Sequence, residues 1–175
     1  SSGKSVTFES TKNLDGGVLG GAIHIKATSN EVWKVLTDPE RATTYLKNLK
    51  SAKLTKTVGR TQYISHQIRL GFLPMTLGYD YKAQQTKAGR QIQFKMLSGD
   101  LRSFQGQWDL LDATKFGLES GTVVFYQLHI DPGGIIPGSL VRKNLRKDLP
   151  TMLQLMRGRV YSLQAAAKRQ VAAAQ

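Results

Sequence analysis

PGSLVRKNLRKDLPTMLQLMRGRVYSLQAAA, residues 137–167, is the stretch on which the fold turns. Val141, Leu145, Leu149, Met152, Met156, Val160 and Leu163 recur at intervals of three and four, which lays one apolar stripe along a helix. Arg142, Lys143, Arg146, Lys147, Arg157 and Arg159 fall on the opposite side. A stripe of this length needs a concave apolar surface to lie in. As one straight rod, residues 137–172 would run about 54 Å, against a radius of gyration of roughly 16 Å for a chain of this size. Pro150 lacks an amide inside the stripe, and Gly158 is a second soft point. The expectation is a kink at Pro150 or a break between two helices. Residues 137–149 then form a candidate gate, with 151–163 as the anchored half.

Upstream of this stretch, from Leu49 onward, the periodicity is two. Candidate strands are 50–58, 61–70, 75–85, 90–97, 103–111 and 121–130, with turns at Gly59, 71–74, Gly89, Gly99-Asp100 and 112–120. The breaks are short enough for successive antiparallel hairpins. Residues 18–26 read as an earlier strand. Thr28-Ser29-Asn30-Glu31 is a capping box, opening a helix with Val32, Val35 and Leu36 on one side. Asp38-Pro39 stops that helix and starts a second short one that ends near Leu46. Residues 1–16 read as a loosely attached strand or a tail, 17–165 as one domain, and 166–175 as a fraying Ala-rich tail.

The chain has 175 residues, 40% hydrophobic and 21% charged, the composition of a folded soluble protein. No apolar run approaches the roughly 20 residues of a membrane span. The start Ser1-Ser2-Gly3, without methionine, reads as a trimmed or tagged terminus, so the compartment, cytoplasmic or periplasmic, stays open. The absence of cysteine excludes disulfides, thiolate metal sites and cysteine nucleophiles. A formal charge of +13 favours an anionic partner. After Pro132, Asp148 is the single acid among eight Lys and Arg residues, so the closing helix carries a concentrated positive charge.

Alternation separates the strand faces. One face carries Ile64, His66, Ile68 and Leu70, then Met75, Leu77, Tyr79, Tyr81 and Ala83, then Ile92, Phe94 and Met96. It continues with Phe104, Gly106, Trp108 and Leu110, and ends with Val124, Tyr126, Leu128 and Ile130. This inner face is large, aromatic, and tipped with hydroxyls and one imidazole. Packing cores avoid so many polar tips, because each buried one needs a partner.

The order strand, two short helices, six strands, long helix is the helix-grip arrangement of an α+β fold. With Ser29-Asn30-Glu31-Val32-Trp33 through Asp38-Pro39-Glu40-Arg41, Phe104-Gln105-Gly106-Gln107-Trp108, Gly121-Thr122 through Tyr126, and Asp131-Pro132, the chain resembles the START/Bet v 1-like (SRPBCC) superfamily, in its polyketide cyclase and coenzyme Q-binding branch. The resemblance spans about residues 17–165. It implies a seven-stranded antiparallel sheet curled around the C-terminal helix, with a cavity between them for an apolar ligand.

The case for catalysis is weak. His24 and His129 alternate outward, and His66 is the inward histidine. No carboxylate pair lies on the inner face, Asp80 and Asp109 alternate outward, and no metalloprotease, hydrolase or nucleotide-binding motif occurs. No cofactor and no metal are expected. The expected ligand-binding residues are Ile64, His66, Ile68, Leu77, Tyr79, Tyr81, Phe94, Trp108, Tyr126, Met152 and Met156; the methionines suit a wall that repacks around irregular shapes. The ligand class is a lipid, sterol-like compound, quinone or other isoprenoid. The alternative is a polyketide cyclase or dehydratase-like enzyme, which the fold supports by analogy alone.

In a meander, alternate connections emerge at one end, so 71–74, 98–102 and 131–138 share a rim. They carry Phe72, Leu73, Leu101, Ile135 and Ile136, with Arg102, Arg142 and Lys143 close by. Apolar tips ringed by cations suit docking on an anionic membrane surface; the competing expectation is that Ile135 and Ile136 staple the closing helix while Phe72 and Leu73 plug the barrel end. A nucleic-acid or protein-binding reading of the basic surface, with Lys50, Lys53, Lys56 and Arg60, ranks third, because the aromatics face inward rather than interleaving with the cations.

Overall fold

In the computed structural model, residues 6–10, 18–69, 75–134 and 136–174 are described. The strands are β1 (Val6–Ser10), β2 (Val18–Ile25), β3 (Leu49–Val58), β4 (Thr61–Arg69), β5 (Thr76–Lys87), β6 (Gln91–Gly99), β7 (Ser103–Asp112) and β8 (Thr122–Asp131). Helix α1 (Ser29–Leu36) follows β2, and α2 (Gly138–Ala173) closes the fold. All pairings are antiparallel, in the order β1-β2-β8-β7-β6-β5-β4-β3. The seven strands β2–β8 form the expected sheet, and β1 adds an eighth at its edge. The sheet stays open, because β2 and β3 stand at opposite ends of the seven. Helix α1 and the turn after it carry the chain across.

Each local signal has a structural cause. Glu31 N–H donates to Thr28 Oγ1 (3.3 Å), and Thr28 N–H donates to Glu31 Oε2 (2.7 Å), completing the capping box. The second short helix is a 3₁₀ turn, Glu40–Thr44, rather than an α-helix. It lies along β3, where Glu40 Oε1 accepts from the Leu54 amide at 3.2 Å. Elsewhere on this edge strand Lys50, Lys53 and Lys56 are exposed, which discourages pairing with another chain. The β6–β7 turn is pinned to β5, with Gly78 N–H donating to Asp100 Oδ2 at 2.7 Å.

Helix α2 runs unbroken through Pro150 over 36 residues, so the two-helix alternative is excluded. The chain absorbs the length by projecting: from Ala165 to Ala174 the helix is exposed apart from half-buried Ala166. Its buried residues are Val141, Leu149, Leu153, Met156 and Val160. Leu153, missing from the sequence stripe, is fully buried, whereas Met152 is half-buried and Leu163 is 39% exposed. The reason lies on β2. A Cβ on Gly21 would stand 2.9 Å from Leu153 Cδ1 and 3.4 Å from Leu149 Cδ2, so the missing side chain admits the helix at this point. The close backbone approach of α2 is to β2, β1 and α1. The C-terminal half is tied to the start of α1: Lys26 N–H donates to Tyr161 Oη (3.1 Å), and Gln164 Nε2 donates to Glu31 Oε1 (3.0 Å).

Candidate functional site

Because α2 seats on β2, the inner face of β4–β8 receives it less closely, and the aromatic residues gather there. Phe104 is the hub. Its ring centroid lies 4.8 Å from Tyr79, 5.9 Å from Tyr81 and 5.0 Å from Phe94. Phe94 continues to Tyr126 (5.9 Å), and Tyr126 to Trp108 (4.1 Å). Phe94 reaches this position by folding over Gly106, its cross-strand partner; a Cβ there would meet Phe94 Cζ and the Gln127 carbonyl.

Of the expected lining, Ile64, Phe94, Tyr126 and Met156 are buried in one cluster, with Tyr81, Trp108 and Met152 packed against it. Leu77 and Tyr79 are buried in an adjoining cluster, with Ile68 at its border. Tyr81 and Phe104 contact both clusters, so the residues form one continuous interior. Phe104 and Tyr45 are absent from the expected lining. Phe104 is legible in the sequence, since it alternates in phase with Trp108. Tyr45 is not, because it follows a 3₁₀ turn whose sequence carries no alternation.

His66 bridges the two central phenols. Its Nδ1 lies 3.3 Å from Tyr79 Oη and its Nε2 lies 3.2 Å from Tyr81 Oη. The register explains this: His66 on β4 faces Tyr79 on β5, and Tyr81 is the next inward position. Burial lowers the His66 pKa to about 4, because a desolvated imidazole resists charging. Burial also raises the Tyr79, Tyr81 and Tyr126 hydroxyls above the ordinary phenol range and Tyr45 to about 12. Tyr81 additionally feels Tyr79, Tyr126 and Tyr45. The site is therefore neutral at physiological pH. His24 and His129 are half-buried; His24 Nε2 lies 2.7 Å from the Ser120 carbonyl. Asp109 accepts from Gln91 and Gln107, both at 2.6 Å. Among the described residues no group of three His, Asp or Glu could hold a metal ion, and no helix is long and apolar enough to cross a membrane.

Among the described residues, connections 98–102 and 131–138 meet the start of β5. A cleft of about 230 Å³ is lined by Met75, Thr76, Leu77, Asp100, Leu101, Pro132 and Ile136. Two rim residues depart from expectation. Leu101 (5% exposed) and Ile136 (4%) are buried with Leu77, Tyr79, Ile130 and Val141; they close the end of the fold instead of projecting. Phe72, Leu73 and Ile135 lie outside the described residues, as does Leu70. Arg102 is exposed and ion-paired with Asp131 at 3.3 Å; Arg142 is half-buried, and Lys143 is exposed. A second depression, about 430 Å³, lies across the strands, lined by Lys82, Gln84, Gln93, Lys95, Gln105 and Gln107 among others. Its amides and amines do not suit an apolar ligand.

Residues 25–157 match the family described as "Polyketide cyclase / dehydrase and lipid transport". No curated protein sequence matches the chain. Among solved structures, it is similar to a STAR-related lipid transfer protein fragment from Xanthomonas axonopodis (TM-score 0.76, 20% identity, 90% of this chain and 93% of that chain). It is also similar to human STARD10 (TM-score 0.76, 11% identity, 98% and 75%). A third similar structure is the Zhui aromatase/cyclase from Streptomyces sp. R1128 (TM-score 0.65, 12% identity, 90% and 94%). At these identities the likeness speaks for the fold alone.

Proposed function

Since the chain belongs to the polyketide cyclase/dehydrase and lipid transport family, we propose that it binds and carries one hydrophobic small molecule, a lipid, sterol-like compound, quinone or isoprenoid, between the sheet and α2. One observation supports this reading: the close approach of the helix is to β2, β1 and α1, while the inner face of β4–β8 beyond it holds hydroxyl-tipped aromatics rather than plain hydrocarbon. The rim cleft of about 230 Å³ is smaller than the roughly 300–1,000 Å³ typical of ligand sites, so loading requires the rim end of α2 to move. That end includes Pro137–Leu149, and Pro150 leaves its last turn without one amide bond. The candidate gate is this half, because Tyr161 and Gln164 tie the other half to Lys26 and Glu31 at the β2–α1 corner.

The enzyme alternative is less well supported. An imidazole with a pKa of about 4 is a poor general base at neutral pH. Transfer would take place at an anionic membrane, reached through the exposed cations Arg102 and Lys143 near the rim. Mass spectrometry of solvent extracts from the purified protein tests the carrier reading. A co-purifying unmodified apolar molecule supports it; turnover of a polyketide-like substrate, abolished in His66→Gln, refutes it in favour of catalysis. For the membrane step, cosedimentation with anionic liposomes should weaken in the Arg102→Glu/Lys143→Glu variant, and unchanged cosedimentation rejects that route.

A further inference from the structure

Hydrogen-bond arithmetic inside the fold specifies the end group of the cargo. A neutral imidazole has one N–H donor and one bare nitrogen acceptor. His66 sits between Tyr79 Oη and Tyr81 Oη, so it accepts a hydrogen bond from one phenol and donates one to the other. The phenol that accepts keeps its own O–H uncommitted, since His66 is the only hydrogen-bond partner of either hydroxyl among the described residues. Tyr126 adds a second uncommitted donor. It is only 7% exposed, its ring is held by Phe94 and Trp108, and its hydroxyl has no hydrogen-bond partner among the described residues. No fully buried side-chain nitrogen or oxygen among those residues lacks a partner, so Tyr126 Oη keeps some accessible surface. Tyr45 stands within electrostatic reach of the same group.

Charge is as informative as donor count. Burial is the whole cause of the shift at His66, and the only other influences on Tyr81 and Tyr126 come from neighbouring tyrosines. Among the described residues no Lys, Arg, Asp or Glu is buried, and the charged groups that reach the cluster, Arg159 and Asp38, act at Tyr45. A buried carboxylate or phosphate at the phenols would have no counter-charge, which the interior does not tolerate.

We infer that the phenol cluster around His66 is a recognition site for a neutral oxygen, a carbonyl or a hydroxyl, on an otherwise apolar ligand, and that it rejects ligands whose buried end is anionic. The inference rests on the carrier reading above and narrows its cargo. Tyr79 joins the cluster to the cleft, because Tyr79 packs with Leu77, Leu101 and Ile136, three residues that line the cleft. The ligand enters there with its oxygenated end leading.

Three naphthalenes of matched shape test it: 2-acetylnaphthalene, 2-ethylnaphthalene and 2-naphthoate, titrated against the full chain by calorimetry or ligand fluorescence. The ketone should bind about five-fold or more tightly than the ethyl compound, the worth of one buried hydrogen bond, and the carboxylate should bind most weakly. Tyr126→Phe should lower the ratio of ketone to 2-ethylnaphthalene affinity about five-fold, with a urea midpoint that shows the fold intact. Equal binding of ketone and ethyl compound, or tightest binding of naphthoate, overturns this inference while leaving the carrier reading intact. Binding of none of the three, with no apolar molecule in the solvent extract, overturns the carrier reading itself.

Discussion

Replacing His66 with glutamine should change how stability depends on pH, by an amount set by the burial of one imidazole. The free imidazole titrates at 6.5, and in the folded chain burial lowers this to about 4. Above pH 6.5 the ring is neutral in both states and contributes nothing that varies with pH. Between 6.5 and 4 the unfolded chain takes up a proton that the folded chain refuses, so stability falls as the solution is acidified. Near pH 4 the loss is complete. At about 1.4 kcal/mol per pH unit, a gap of this width amounts to about 3 kcal/mol. The amide of the His66→Gln variant has no proton to take up, yet keeps a donor and an acceptor for Tyr79 and Tyr81. Urea denaturation of both proteins at pH values from about 7.5 to about 4 gives a difference curve. Carboxylates whose pKa values lie below the ordinary range, such as Glu31, held by Thr28, and Asp112, held by Thr114, cancel in that difference. The native protein should lose about 3 kcal/mol relative to the variant across this window. Parallel curves would refute the neutral, buried imidazole and the donor count built on it.

Other substitutions test the packing. Leu153→Ala should destabilise by about 2–5 kcal/mol, because the side chain is fully buried against β2, whereas Met152→Ala should cost less than half as much by the same urea measurement. Gly21→Ala should cost about 1–3 kcal/mol, its Cβ lying 2.9 Å from Leu153 Cδ1 and 3.2 Å from the Val6 carbonyl oxygen. Adding Leu153→Val should recover part of that loss, a coupling that a double-mutant cycle would detect. Thr28→Ala breaks the capping box and should cost about 1 kcal/mol without altering ligand affinity. Pro150→Ala restores an amide inside α2 and should slow ligand exchange, read as a smaller dissociation rate in stopped-flow fluorescence.

Some of this is legible from residue order because its causes are local. The capping box at Thr28 and Glu31 is a four-residue interaction, and both of its hydrogen bonds form. Hairpin boundaries follow the glycine turns, and alternation puts Tyr79, Tyr81, Phe94 and Tyr126 on one face. The helix stripe is only nearly right. Met152 and Leu153 are adjacent and both apolar, and nothing within the helix says which one meets a glycine on a distant strand. The rim departs from expectation for the same kind of reason. Leu101 and Ile136 look like exposed loop residues until β5, β8 and α2 come together around them. Pro150 reads as a kink or a break, and the break is excluded because the helix continues through it, its rim half held by Val141 against Leu77 and Ile130.

Periodicity, caps and turn residues are short-range properties, so the sequence by itself determined the element order, the sheet-plus-helix architecture and which face of each strand turns inward. Where α2 touches that face, and what is left uncovered, was decided only in three dimensions, because it depends on the space left by Gly21 on a strand more than a hundred residues away. The same holds for the imidazole between two phenols. His66 and Tyr81 lie on different strands, and the β4–β5 register that makes them neighbours also puts them in the desolvated interior that keeps the ring neutral.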